Sequence, residues 1–214
     1  MCDFNNLIDE LHENKDWRIQ ELKKIGNEIK ENINSDLKPL FFGSLIPMIY
    51  AHWEGFVVSS VKKYFECLNS FNYKTTDLDI CYIATAFESE LEAISKSQNF
   101  DKRKKHLEIL LKVVKDRVKF NKKIDTKSNL NFNTLIMICK KLNFDKSKFN
   151  EYKSDLNELV NIRNAIAHGD TPSFRFENFT DIEKYIDLID NLMLDFIAEI
   201  EEIILHEKFK KENK

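Results

Sequence analysis

The run Leu156-Asn-Glu-Leu-Val-Asn-Ile-Arg-Asn-Ala-Ile-Ala-His-Gly169 repeats apolar residues at helical spacing and stops at a glycine. Turned at about 100° per residue, Leu156, Leu159, Val160, Ile162, Ile166 and Ala167 gather on one arc. Such a stripe needs other elements to bury it, and Gly169 suits the left-handed residue that ends a helix. Upstream, Ser147 is placed to cap this helix, and Asn131-Phe132-Asn133 leads into a short one over 134–142. A helix is expected over 101–120, another from Thr75-Thr76-Asp77 to about Ser97, and a long one from about 36 to 68. The long one holds Pro39 in its first turn, where proline is tolerated, and Pro47 at an expected kink. Residues 4–34 form the first helix. Downstream, Thr180 and Glu183 read as a capping box for a last helix over 181–208.

Only 4 Gly and 3 Pro occur in 214 residues, too few for the tight turns of an all-β fold. The sole hint of alternation is Phe174-Arg175-Phe176. The expectation is an all-α, up-and-down helical bundle with extra helices. One domain spans 1–214, with its core over about 36–208 and an N-terminal helix over 1–34.

With 43% hydrophobic and 32% charged residues, the composition is neither disordered nor that of a membrane span. The longest apolar stretch, Leu40 to Ala51, is about half the length a span needs, so no membrane association is expected. Cys2, Cys67, Cys81 and Cys139 lie far apart, with neither a zinc signature nor a disulfide framework. That usage, with no basic and apolar leader, points to a reduced, cytoplasmic setting. A metal-carboxylate bundle would need Glu three residues before His. None of His12, His52, His106, His168 or His206 has it, so no metal and no cofactor are expected.

A net charge of −3 excludes a polycation that coats nucleic acid. Charge is nevertheless uneven: residues 101–123 hold ten basic against three acidic side chains. Lys102, Arg103, Lys104, Lys105, Lys112 and Lys115 are the candidate phosphate-binding patch. The plain alternative is a solvated face whose other side, Leu107, Leu110, Leu111, Val114 and Val118, packs on the core.

Arg163 falls inside the apolar arc of the 156–169 helix. A guanidinium keeps its proton, so one placed there needs a carboxylate, a phosphate or a path to water. Asn157, Asn161, Asn164 and His168 form a second, polar stripe suited to contact with a partner helix or a ligand. His168 lies in the last turn, where the helix dipole favours imidazolium and suits it to proton transfer. In the second informative segment, Tyr50-Ala-His-Trp-Glu-Gly-Phe56, Glu54 sits at the edge of an apolar face. It is the expected mate for Arg163.

Arg163-Asn-Ala-Ile-Ala-His168 resembles the R-x4-6-H motif of the HEPN superfamily, with Asn164 as the polar residue after the arginine. The Tyr50–Phe56 segment is similar to one in small stand-alone HEPN proteins of the RiboL-PSP type. The resemblance implies a helical bundle that forms a homodimer through the motif helix, with Asn157 and Asn161 in the symmetric contact. It also implies a metal-independent endoribonuclease, used as a toxin or anti-phage defence effector. Arg163, Asn164 and His168 would be catalytic, with Glu54, Trp53 and His52 in support. RNA is the implied substrate, and an antitoxin or defence-complex subunit an implied partner. Where HEPN toxins modified by a nucleotidyltransferase carry tyrosine, two residues after the histidine, this chain has Asp170; that mode of control is not expected. Two other readings remain open. One is a non-catalytic HEPN-like interaction module, an antitoxin or a scaffold subunit, and the other a DNA-binding regulator acting through residues 101–123.

Overall fold

A computed structural model describes residues 3–34, 36–114, 117–122, 124–126, 128–170, 176 and 178–211. Among these residues eight α-helices follow in order: α1 Phe4–Asn32, α2 Lys38–Phe71, α3 Ile80–Ala86, α4 Glu88–Lys96, α5 Phe100–Val113, α6 Phe132–Leu142, α7 Lys153–His168 and α8 Thr180–Leu205. Short 3-10 turns at Thr75–Asp77 and Lys146–Tyr152 precede α3 and α7. The architecture is all-α. Two isolated bridges, Lys74 with Arg117 and Leu78 with Lys210, are the extended pairings among the described residues. Of the expected extended scrap, Phe174 and Arg175 lie outside the described residues, and Phe176 is buried.

Helix α2 is central. It packs against α1, α7 and α8, and Ile46, Ile49, Trp53, Phe56, Val57, Val61, Tyr64 and Leu68 along it are buried. Pro47 sits within it without ending it. Helix α1 presents Leu7, Leu11, Ile19, Leu22 and Ile29 to the core, and α8 buries apolar residues along its length from Ile182 to Ile203. Where α1 passes the start of α8, Gly26 makes room for a ring: a Cβ there would lie 2.6 Å from Phe179 Cζ. No helix among the described residues is long and apolar enough to cross a membrane.

Several expected boundaries move, for identifiable reasons. The single helix expected up to Ser97 is broken at Leu78-Asp79 and again at Phe87. Asp79 caps α3 by accepting from the Cys81 N–H at 2.8 Å, and buried Phe87 marks the turn into α4. Because α3 packs on α6 while α4 packs on α5, one straight helix could not serve both. The helix expected to reach residue 120 ends at Val113. Beyond it, the Val118 N–H donates to Tyr73 O at 2.8 Å. Asn69 accepts from the Phe120 N–H at 2.8 Å and donates to its carbonyl at 3.1 Å. Phe120 then stacks on Phe65 with centroids 5.0 Å apart.

The expected inner face of α5 is corrected too. Val118 is buried, but Leu107, Leu111 and Val114 are exposed. Ser147 does not cap α7; Asp145 caps the 3-10 turn by accepting from the Ser147 N–H and hydroxyl. The Thr180–Glu183 capping box is absent, and Asp181 accepts from the Asn178 N–H instead. Buried Glu199 on α8 holds the turn before α7, accepting from the Asp145 N–H at 2.6 Å and pairing with Lys148 at 2.6 Å. The reading of the cysteines without a disulfide is overturned at Cys67, which is disulfide-bonded; Cys81 and Cys139 are free.

Candidate functional site

Helix α7 buries Leu156, Leu159, Val160 and Ile162 and ends where expected. Gly169 takes φ +71°, its N–H donating to Ile166 O at 3.2 Å, and the Asp170 N–H reaches Ala165 O at 3.0 Å. The buried arc carries Arg163 half-buried against α2. Its guanidinium carbon lies 4.0 Å from the centre of the Tyr50 ring, close enough for the ring's negative face to attract the cation. Nη1 donates to Asn164 Oδ1 at 2.8 Å and Nη2 to the Ser128 carbonyl at 2.9 Å.

Glu54 is therefore not the direct mate of Arg163. Its Oε1 accepts from the Tyr50 hydroxyl at 3.0 Å and from the Thr126 hydroxyl at 2.6 Å. The Tyr50 oxygen in turn accepts from the buried Leu130 N–H at 2.6 Å. One α2 turn thus grips the loop before α6 by two polar links, and the loop returns a carbonyl to Arg163. Burial pushes the Tyr50 phenol up to about 12; the Leu130 N–H offsets this in part and Glu54 adds to it. The spacing that suggested Glu54 pointed to the right face of α2 but one turn too far along it, since Tyr50 lies four residues earlier. Tyr50, Thr126 and Ser128 were missed, because no periodicity marks a loop carbonyl or a ring face as a cation's partner.

Trp53 is wholly buried, its indole Nε1 without a hydrogen-bond partner among the described residues. His52 faces α1 instead of α7. Arg18 Nη1 lies 3.5 Å from His52 Nδ1, Glu21 is 3.2 Å from Nε2, and Trp17 stands edge-on to the ring. The structure does not bring His52 to Arg163. Asn157 uses its side-chain oxygen within the chain, accepting from the Phe132 N–H at 3.2 Å to cap α6. Asn161 is exposed and lines an open cleft with Asn150, Lys153 and Asn157. His168 is exposed, with no partner among the described residues. Five residues along a helix amount to about 140° of turn and about 7.5 Å of rise, so Arg163 and His168 leave α7 in different directions.

With this arrangement of helices and motif, the RiboL-PSP-HEPN family model matches residues 13–206. The chain belongs to the RiboL-PSP-HEPN family. The match begins inside α1, so the HEPN region takes in most of that helix and starts before residue 36. No curated protein and no solved structure matches the chain. On this HEPN chain Lys102, Arg103, Lys104, Lys105 and Lys112 are exposed along α5, an element apart from the motif helix. Lys115 lies outside the described residues.

Proposed function

We propose that this HEPN chain is a metal-independent endoribonuclease, leaving 2′,3′-cyclic phosphate and 5′-hydroxyl ends. The observation that carries the reading is the company Arg163 keeps. Its partners are an aromatic face, an amide oxygen and a backbone carbonyl, all uncharged, and no carboxylate neutralises it among the described residues. A fixed guanidinium whose charge is left over suits an anion that develops charge, such as a phosphoryl group under attack. In the proposed reaction the ribose 2′-oxygen bonds to the adjacent phosphorus and the P–O5′ bond breaks. One His168 accepts the 2′ proton and the His168 of a second copy protonates the departing 5′-oxygen. Asn164 keeps Nη1 aimed. Pairing of two α7 helices supplies what the 140° divergence denies a single helix.

The physiological reading is a cytoplasmic toxin or anti-phage effector held by an antitoxin or defence-complex partner, with the exposed lysines of α5 guiding RNA. The test is cleavage of single-stranded RNA in EDTA, with product ends identified. His168→Ala and Arg163→Ala are expected to slow it by about 100-fold or more. Undiminished cleavage by His168→Ala overturns the assignment, and an inert wild-type chain favours a non-catalytic module.

A further inference from the structure

Helix α5 carries an apolar stripe that nothing among the described residues covers. Phe100, Leu107 and Leu111 are 72, 47 and 55% exposed, and Val114 at the helix end is 36% exposed. The helix already rests on α4, and His106 and Leu110 on an adjoining side are half-buried, so the stripe is a second, separate face. With Lys104 it runs 100, 104, 107, 111, 114, in steps of four and three residues. That is the alternation of the d and a positions in a heptad, the pattern of a helix that packs lengthwise on another helix.

The flanking charges choose the occupant. With Phe100 at d, Asp101 and Glu108 fall at e, and Arg103 and Leu110 at g. In a parallel pair each g residue faces the e residue of the partner's next heptad, which sets Arg103 opposite Glu108 of the second copy, twice over. An antiparallel pair would instead bring the acidic e positions together. Arg103 and Glu108 are both exposed, with no partner among the described residues. We propose that α5 is a self-association helix, pairing in parallel and in register with α5 of a second copy through the Phe100, Leu107, Leu111 and Val114 stripe. Lys104 is the one cation in the seam; such a residue weakens a pair while fixing its register. Lys102, Lys105 and Lys112 fall at f and b, on the outside of the pair. The contact is independent of the α7 dimer proposed for catalysis.

The test is cross-linking of single-cysteine additions under mild oxidation, with the wild-type chain as background. Phe100→Cys is expected to join to its own copy, because parallel register brings equal positions together, and Lys105→Cys is not. In sedimentation, Arg103→Glu and Glu108→Arg should each weaken self-association about tenfold, and the double charge swap should restore it. Three results overturn the proposal. One is a Phe100→Cys chain that stays monomeric on the gel even if the protein sediments at twice its 25.4 kDa mass. Another is Phe100→Cys joining only to Val114→Cys, the antiparallel outcome. The third is a Leu107→Glu, Leu111→Glu variant that loses RNA affinity while associating normally. RNA cleavage is scored separately, so failure of this contact and failure of the nuclease reading are told apart.

Discussion

Replacing Tyr50 by phenylalanine keeps the ring against Arg163 and deletes one oxygen. That oxygen is the acceptor, at 2.6 Å, for the buried Leu130 N–H, and it donates to Glu54 at 3.0 Å. Glu54 retains Thr126, so the main cost is a buried backbone donor left unpaired, about 1–3 kcal/mol. Taking about 2 kcal/mol for a chain of this size, Tm should fall about 4–8 °C. Tyr50→Leu also removes the cation–ring contact, about 0.5–2 kcal/mol, and leaves a cavity, so it should be clearly less stable than the phenylalanine variant. Thermal and urea unfolding followed by circular dichroism measure both. A pH series adds an independent check. The folded phenol sits at about 12 against an ordinary 10.0, so the unfolded chain gives up this proton first. The stability due to Tyr50 is present below pH 10 and lost as pH rises towards about 12. The wild type should show this loss in excess of Tyr50→Phe. If Tyr50→Phe melts within about 1 °C of the wild type and the two share one alkaline profile, the hydroxyl does not tie the loop to α2 and the account of Arg163's placement fails.

Two further outcomes follow from the packing. Gly26→Ala gains about 1 kcal/mol of helix propensity, but its Cβ would press into the Phe179 ring, 2.6 Å from Cζ. Overpacking costs about 1–3 kcal/mol. The variant should therefore be no more stable than the wild type in urea, and Phe179→Leu in that background should recover the difference; a plain gain of about 1 kcal/mol would refute the close approach. Burial, with the Arg18 guanidinium adding to it, holds His52 below its ordinary 6.5, against an opposing pull from Glu21. Unfolded His52 thus takes up a proton first, and its stabilising effect is full above about pH 6.5 and lost as pH falls through the lower folded value. His52→Gln should flatten the acid side of the stability profile, and an unchanged profile would place the histidine elsewhere than between α1 and α2.

The long helices were legible because each buries one continuous stripe: Leu7 to Ile29 in α1, Leu156 to Ile162 in α7, Ile182 to Ile203 in α8. The breaks around α3 and α4 were not. The sequence there keeps a helical period while its two halves serve different neighbours, and periodicity carries no record of which neighbour a stripe meets. Arg163 stood out since a permanent cation in an apolar arc demands a partner. Its partner did not stand out, because Tyr50 and Glu54 share one face of α2 four residues apart and spacing admits either. The choice is made by Thr126 and Leu130, whose hydrogen bonds to Glu54 and Tyr50 turn the carboxylate towards the loop and leave the ring face to the cation. In α5 the plain alternative, with Leu107, Leu111 and Val114 turned to the core, fails because apolar spacing alone does not say whether a stripe is covered within the chain.

The Ser128 carbonyl that receives Arg163 comes from a stretch with no residue of the motif in it. The aim of the guanidinium is thus adjustable from outside. A library varied only over 126–130 would retune the site while every motif side chain stayed the same, and an alanine scan confined to α7 would never discover that control.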